Sequence, residues 1–145
     1  MTLQEFLRLE HRFGWSGHGF RSASYVENNC FTFPATWVEV VTGIDVAAPY
    51  RGKCSNQEEA AALIAREGGM VALAGRQLAV AGLRPTSAAS HGDVGVVRTP
   101  DGHGGLPMIG AIKWGDADKP LWMVLGEVRA LVKKAEVIAA WSLQC

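Results

Sequence analysis

An excess of charge of either sign is missing from this chain, because 14 lysines and arginines are matched by 14 aspartates and glutamates. Nucleic-acid binding needs a concentrated basic face that displaces counterions, so a nucleic acid is excluded as the main partner. Long apolar runs are missing too. Each is interrupted within about ten residues, against the roughly 20 that a helix needs to span a bilayer. The opening stretch Met1-Thr2-Leu3-Gln4-Glu5 has neither the basic nor the apolar region of a secretory signal, so synthesis in a cytoplasm without a signal peptide is expected. Cysteine and histidine are scarce. The three cysteines Cys30, Cys54 and Cys145 are odd in number and lack metal-ligand spacing, which points to reduced thiols. The four histidines His11, His18, His91 and His103 show no such spacing either, so neither a metal nor another cofactor is expected.

What is present is glycine and tryptophan, 17 and five residues respectively, and an apolar fraction large enough for one core in a single domain of residues 1–145. The organising stretch is residues 28–43. Thr32, Thr36 and Glu39 fall four and three apart on one polar stripe, and Phe31, Phe33, Trp37, Val38, Val40 and Val41 surround it. A helix apolar around most of its circumference belongs inside a domain, and Gly43 supplies a left-handed stop. Cys30 lies at its mouth, where a helix N-terminus favours a thiolate.

Around this stretch the pattern is helical first and extended later. Thr2 and Glu5 form a capping box for a first helix reaching about Arg12, with His11 on its surface near the end. Residues 13–19 are a glycine- and aromatic-rich loop. Ser55 and Glu58 form a second capping box, Gly68-Gly69 ends that helix, and Met70, Leu73, Ala74 and Leu78 mark another. From Arg84 the period changes. A loop over 84–90 is expected to lead into strands at 93–98, 106–114 and 120–125, with a fourth over 127–132. Residues 137–143 fit a strand or a short helix. The expected class is therefore α+β, with a helical half at 1–83 and an antiparallel β half at 92–143.

A cysteine at a helix mouth followed by a β half is the outline of a cysteine hydrolase, although a free cysteine by itself more often only packs. The motifs Asn29-Cys30 ahead of the aromatic helix and Gly92-Asp93-Val94 opening the β half resemble NlpC-type papain-like cell-wall peptidases. Phe13-Gly14-Trp15, Trp37-Val38, Thr42-Gly43, Tyr50-Arg51-Gly52, Ile109-Gly110-Ala111 and Ala140-Trp141 extend the likeness. They resemble, more closely, small tail-region proteins of bacteriophages with this fold.

The resemblance implies Cys30 as nucleophile and a histidine two residues before Gly110, where this chain has Met108. It also implies an acidic residue where Asn29 stands. A thioether cannot accept a thiol proton, so the base would have to be His103 at a hairpin tip, or His91. Pro34 adds a second departure. It fits the first turn of a helix capped by Thr32, which leaves Cys30 on the preceding loop; a helix beginning at Cys30 would lose about 3 kcal/mol to it.

The expectation is thus a catalytically degenerate papain-like domain serving as a structural part of a phage tail tip or baseplate, within the virion tail, with other tail proteins as partners. Exposed tryptophans would suit such docking. The alternatives are an active tail-associated peptidase acting on host peptidoglycan through Cys30, and a tail assembly factor that never enters the particle.

Overall fold

The computed structural model describes residues 1–22 and 25–143; Ala23, Ser24, Gln144 and Cys145 therefore lie outside the description. The capping box at the N-terminus forms as expected. Thr2 accepts from the Glu5 amide and Glu5 returns to the Thr2 amide, opening α1 (Leu3–Arg8). The helix stops at Leu9, earlier than its apolar spacing suggests, because the next residues pair as a strand, β1 (Glu10–Phe13). β1 lies parallel to β3 (Tyr25–Asn28), and β2 (Gly19–Phe20) pairs antiparallel on the other side of β3. This small sheet was not expected in the helical half. Its strands are two to four residues long, too short for an alternating pattern to show.

The organising helix is α2 (Phe33–Thr42), stopped by Gly43 at φ 78°. It begins at Phe33, and Pro34 sits in the first turn, where its missing N–H costs nothing. Phe33, Trp37 and Val38 are buried in the main core, with Phe6 of α1 stacked on Phe33 and Trp37 at 6.0 and 5.4 Å between centroids. α3 (Gln57–Arg66) is capped by Asn56, whose side chain accepts from the Glu59 amide, while Glu59 accepts from the Ser55 amide. The cap expected at Ser55 therefore falls one residue later, at Asn56, and Glu59 in place of Glu58 reaches back, to the amide ahead of the cap. α4 (Met70–Val80) follows the Gly68-Gly69 turn, in which both glycines have positive φ.

The β half holds β4 (Arg84–Pro85), inside the segment expected as loop, then β5 (Val94–Arg98), β6 (Met108–Lys113), β7 (Leu121–Leu125), β8 (Ala130–Lys134) and β9 (Glu136–Ser142). All pairings are antiparallel, in the order β4-β9-β5-β6-β7-β8. The α+β class with a six-stranded antiparallel sheet is thus present. β6 starts two residues late, after Pro107, and β8 lies two or three residues beyond its expected place.

One connection shapes the sheet. β8 and β9 are separated by Ala135 alone, yet β8 pairs with β7 and β9 with β5. A single residue can join those positions only if the sheet curls round on itself. Thr99 Oγ1, just past β5, donates to the Lys134 carbonyl at 3.1 Å and ties the same corner. The curl explains a second apolar cluster on the face turned away from the helices: Val97, Ala111, Trp122, Val124 and Ala140, plugged by Ala89. Trp122 reaches across Ala111 to Gly95, where a Cβ would lie 2.9 Å from its ring and 2.8 Å from the Ala139 carbonyl. A β-bulge between Val96 and Val97 absorbs the bend. At the far end of β6 the buried Lys113 donates to the carbonyls of Asp116 and Lys119 at 2.9 and 2.5 Å and fastens the turn into β7.

Candidate functional site

Cys30 occupies the turn that enters α2, half-buried, three residues ahead of the helix. Its carbonyl accepts from the Gly110 amide at 2.9 Å, so the mouth of α2 is stitched to the middle of β6. Only a glycine permits this approach. A Cβ at 110 would lie 2.7 Å from the Cys30 oxygen and 2.7 Å from Pro34 Cγ. Along β6 alternate residues share a face, so Met108 points to the same side as Gly110, toward α2. It is partly buried and packs on the main core. The backbone of Met108 therefore stands two residues along the strand, about 6.6 Å, from Gly110, where Cys30 touches the sheet.

The electrostatics at the helix mouth run against a thiolate. Burial pushes the Cys30 thiol above its ordinary value, and a hydrogen bond from its own amide offsets only part of that. The backbone amides that could hold an anion are already used. Asn29 Oδ1 accepts from Phe31 and Thr32 at 3.1 and 2.9 Å, and the Asn29 carbonyl accepts from Phe33 at 3.1 Å. Asn29 Nδ2 donates to the Trp15 carbonyl at 2.9 Å, anchoring the glycine-rich loop beside the turn. Asn29 thus acts as a turn-builder.

Neither candidate base is brought to Cys30. His103 is exposed in the loop between β5 and β6, where its amide and that of Gly105 donate to Asp101 Oδ1 at 2.7 and 3.1 Å. His91 lies at the opposite end of β6. Its Nδ1 accepts from the Gly115 amide at 2.8 Å and its ring meets Trp114 edge-on. From Gly110 to Lys113 alone the strand advances about 10 Å, and His91 lies beyond that. His11, expected on a helix surface, is instead fully buried in β1. His18 is exposed beside Gly52.

The polar stripe of α2 has a role that sequence reasoning missed. Thr32 and Thr36 are fully buried, and both hydroxyls donate to Asn28 Oδ1, at 2.9 and 2.8 Å. Arg51 completes the cluster. It makes a two-pronged ion pair with Asp45 at 2.9 and 3.0 Å, and donates to the Gly17 carbonyl at 2.8 Å and to Thr36 Oγ1 at 3.1 Å. One guanidinium therefore joins the glycine-rich loop, α2 and the connector after Gly43. The available signal was Arg51 directly after the apolar run Val46-Ala47-Ala48-Pro49-Tyr50, which a lone Asp45 precedes.

A cavity of about 60 Å³ lies between α2, α4 and the sheet, lined by Phe31, Pro34, Tyr50, Met70, Gly110 and Trp141. Cys30 does not line it, and its size is far below the ~300 Å³ at which ligand pockets begin. Of the five tryptophans, Trp37, Trp122 and Trp141 are buried, and Trp15 and Trp114 are half-buried. Docking through exposed indoles accordingly finds no support. Among the described residues no group of three or more histidines, cysteines or carboxylates is placed to hold a metal ion. No helix among them is long and apolar enough to cross a membrane.

No curated protein and no solved structure matches the chain. Residues 15–143, which include α2 and the whole β half, match a family described as a domain of unknown function. The chain belongs to that family, DUF6950.

Proposed function

We propose that the chain is a catalytically degenerate papain-like domain of NlpC type that serves as a structural component of a bacteriophage tail tip or baseplate. The resemblance of its motifs to small phage tail-region proteins supplies the setting. One observation carries the loss of catalysis: the mouth of α2 meets β6 at Gly110, and the side chain offered there is Met108. A thiol raised by burial, with the neighbouring amides already bonded, points the same way. The protein would act by packing against other tail proteins. Mass spectrometry of purified particles tests this, with the protein expected at a fixed stoichiometry. Its absence from particles would favour an assembly factor instead.

A second reading, a peptidoglycan peptidase using Cys30, draws on the same seam. The cysteine loop and the strand that would bear the base are already in contact, as a site built on Cys30 would require. Incubation with host peptidoglycan separates the two readings.

A further inference from the structure

His11 is fully buried, yet only one of its ring nitrogens has a partner. Nε2 lies 2.7 Å from the Phe6 carbonyl. A carbonyl only accepts, so Nε2 carries the proton and Nδ1 is the bare nitrogen. The ring is wedged edge-on between Phe6 of α1 and Phe33 of α2, at 5.0 and 5.5 Å between centroids, and is paired in register with Val26 of β3. The charged groups of these elements are engaged elsewhere or stand apart from it. Glu5 bonds Thr2, Glu10 pairs with Arg12, Arg12 also lies over Tyr25, and Glu27 reaches toward the His18 amide. Arg8 and Glu39, the remaining charges on α1 and α2, make no hydrogen bond or ion pair with the ring among the described residues.

A second observation concerns what His11 holds. The family match begins at residue 15, so α1 and β1 lie ahead of the matched residues, although Leu3 and Phe6 share the main core. They dock through Leu3, Phe6 and His11 and through one short parallel pairing with β3. A six-residue helix has no stability of its own away from such a surface.

We propose that His11 is a proton-operated latch that keeps the α1–β1 segment on the family domain at neutral pH and releases it on acidification. A proton on Nδ1 would be buried with no acceptor and no counter-charge, a state that undocking relieves by hydrating the ring. Gly14 is the natural hinge, since its own amide is held by the Asn28 carbonyl at 3.0 Å and the chain beyond it belongs to the domain. The direction of the shift at His11 agrees: burial lowers its affinity for protons below the ordinary value of 6.5. The undocked ring binds protons near that ordinary value. The docked-to-undocked ratio therefore falls about tenfold for each unit of pH below ~6.5, until the docked ring itself protonates.

Hydrogen exchange of the full chain, corrected for intrinsic rates, tests the latch between pH 7.5 and 5.0. Residues 1–13 should lose protection steeply while β5, β6 and β9 keep theirs. His11→Gln, whose side-chain amide can still donate to Phe6 and cannot titrate, should flatten the pH dependence of residues 1–13. Should that variant fail to fold, the imidazole titration of His11 in the unmutated protein decides, with its midpoint tracking the loss of protection. Equal protection of residues 1–13 at both pH values overturns the proposal. So does a loss of protection shared by the whole sheet, which would report global acid unfolding.

Discussion

Replacing Arg51 by methionine removes the guanidinium and keeps most of the aliphatic stem. The structure indicates what is lost. The ion pair with Asp45 is two-pronged, and further bonds run to the Gly17 carbonyl and Thr36 Oγ1. Removing one partner of a buried pair costs about 3–5 kcal/mol, mostly through the charge left behind. That figure must be reduced here. The Asp45 side chain is 24% exposed and keeps the Ala47 amide as a donor, so it can be solvated in the variant. Asn28 Oδ1 likewise retains Thr32 and Thr36. The orphaned Gly17 carbonyl adds about 1 kcal/mol. The expected loss is therefore about 2–4 kcal/mol, read as a shift in urea midpoint with unchanged slope. Combining Arg51→Met with Asp45→Asn should cost clearly less than the sum of the single changes, because the two groups contact each other. A loss below ~1 kcal/mol, or simple additivity, would refute the argument that this cluster joins the glycine-rich loop to α2.

Other perturbations probe separate parts of the structure. Trp37→Ala should cost about 3–5 kcal/mol, since the indole is buried against Phe6 and its Nε1 donates to the Gly92 carbonyl at 2.9 Å, whereas Glu39→Ala should cost under ~1 kcal/mol. Similar melting temperatures for the two would show the faces of α2 to be misassigned. Gly95→Ala forces a methyl group against both a backbone carbonyl and Trp122, and should cost about 1–3 kcal/mol by thermal melting; a neutral result would count against the curled sheet. Cys30 should react with iodoacetamide at pH 8 more slowly than a free peptide cysteine, because burial keeps the thiol protonated past its usual range. Labelling faster than the free peptide would contradict that electrostatic picture.

The parts of the fold legible in the sequence are those with strong local signals. Thr2 and Glu5 announced α1, Gly43 and Gly68-Gly69 marked real helix ends, and the change of period near Arg84 located the β half. Pro34 left two helix starts open, at Cys30 or after Thr32, and the structure takes the later one, with Cys30 ahead of the helix. What escaped was set by contacts between distant residues. β1 carries Phe13 at a spacing that also continues α1, and only its pairing with β3 selects the strand. His11 read as a surface residue because nothing local reveals that α1 and α2 close over it. The polar stripe of α2 was visible. Its burial under Arg51 was not, because that residue arrives from a connector with no regular structure.

A degenerate scaffold and a working peptidase differ in whether Cys30 still cuts. The direct measurement is release of soluble muropeptides from purified host peptidoglycan by the full chain, run beside Cys30→Ser and Met108→His. No release is expected from the unmutated protein or from Cys30→Ser. Met108→His should add little, because sequence and structure offer no evident group to orient the new ring. Release by the unmutated protein that disappears in Cys30→Ser would contradict the account and establish a peptidase.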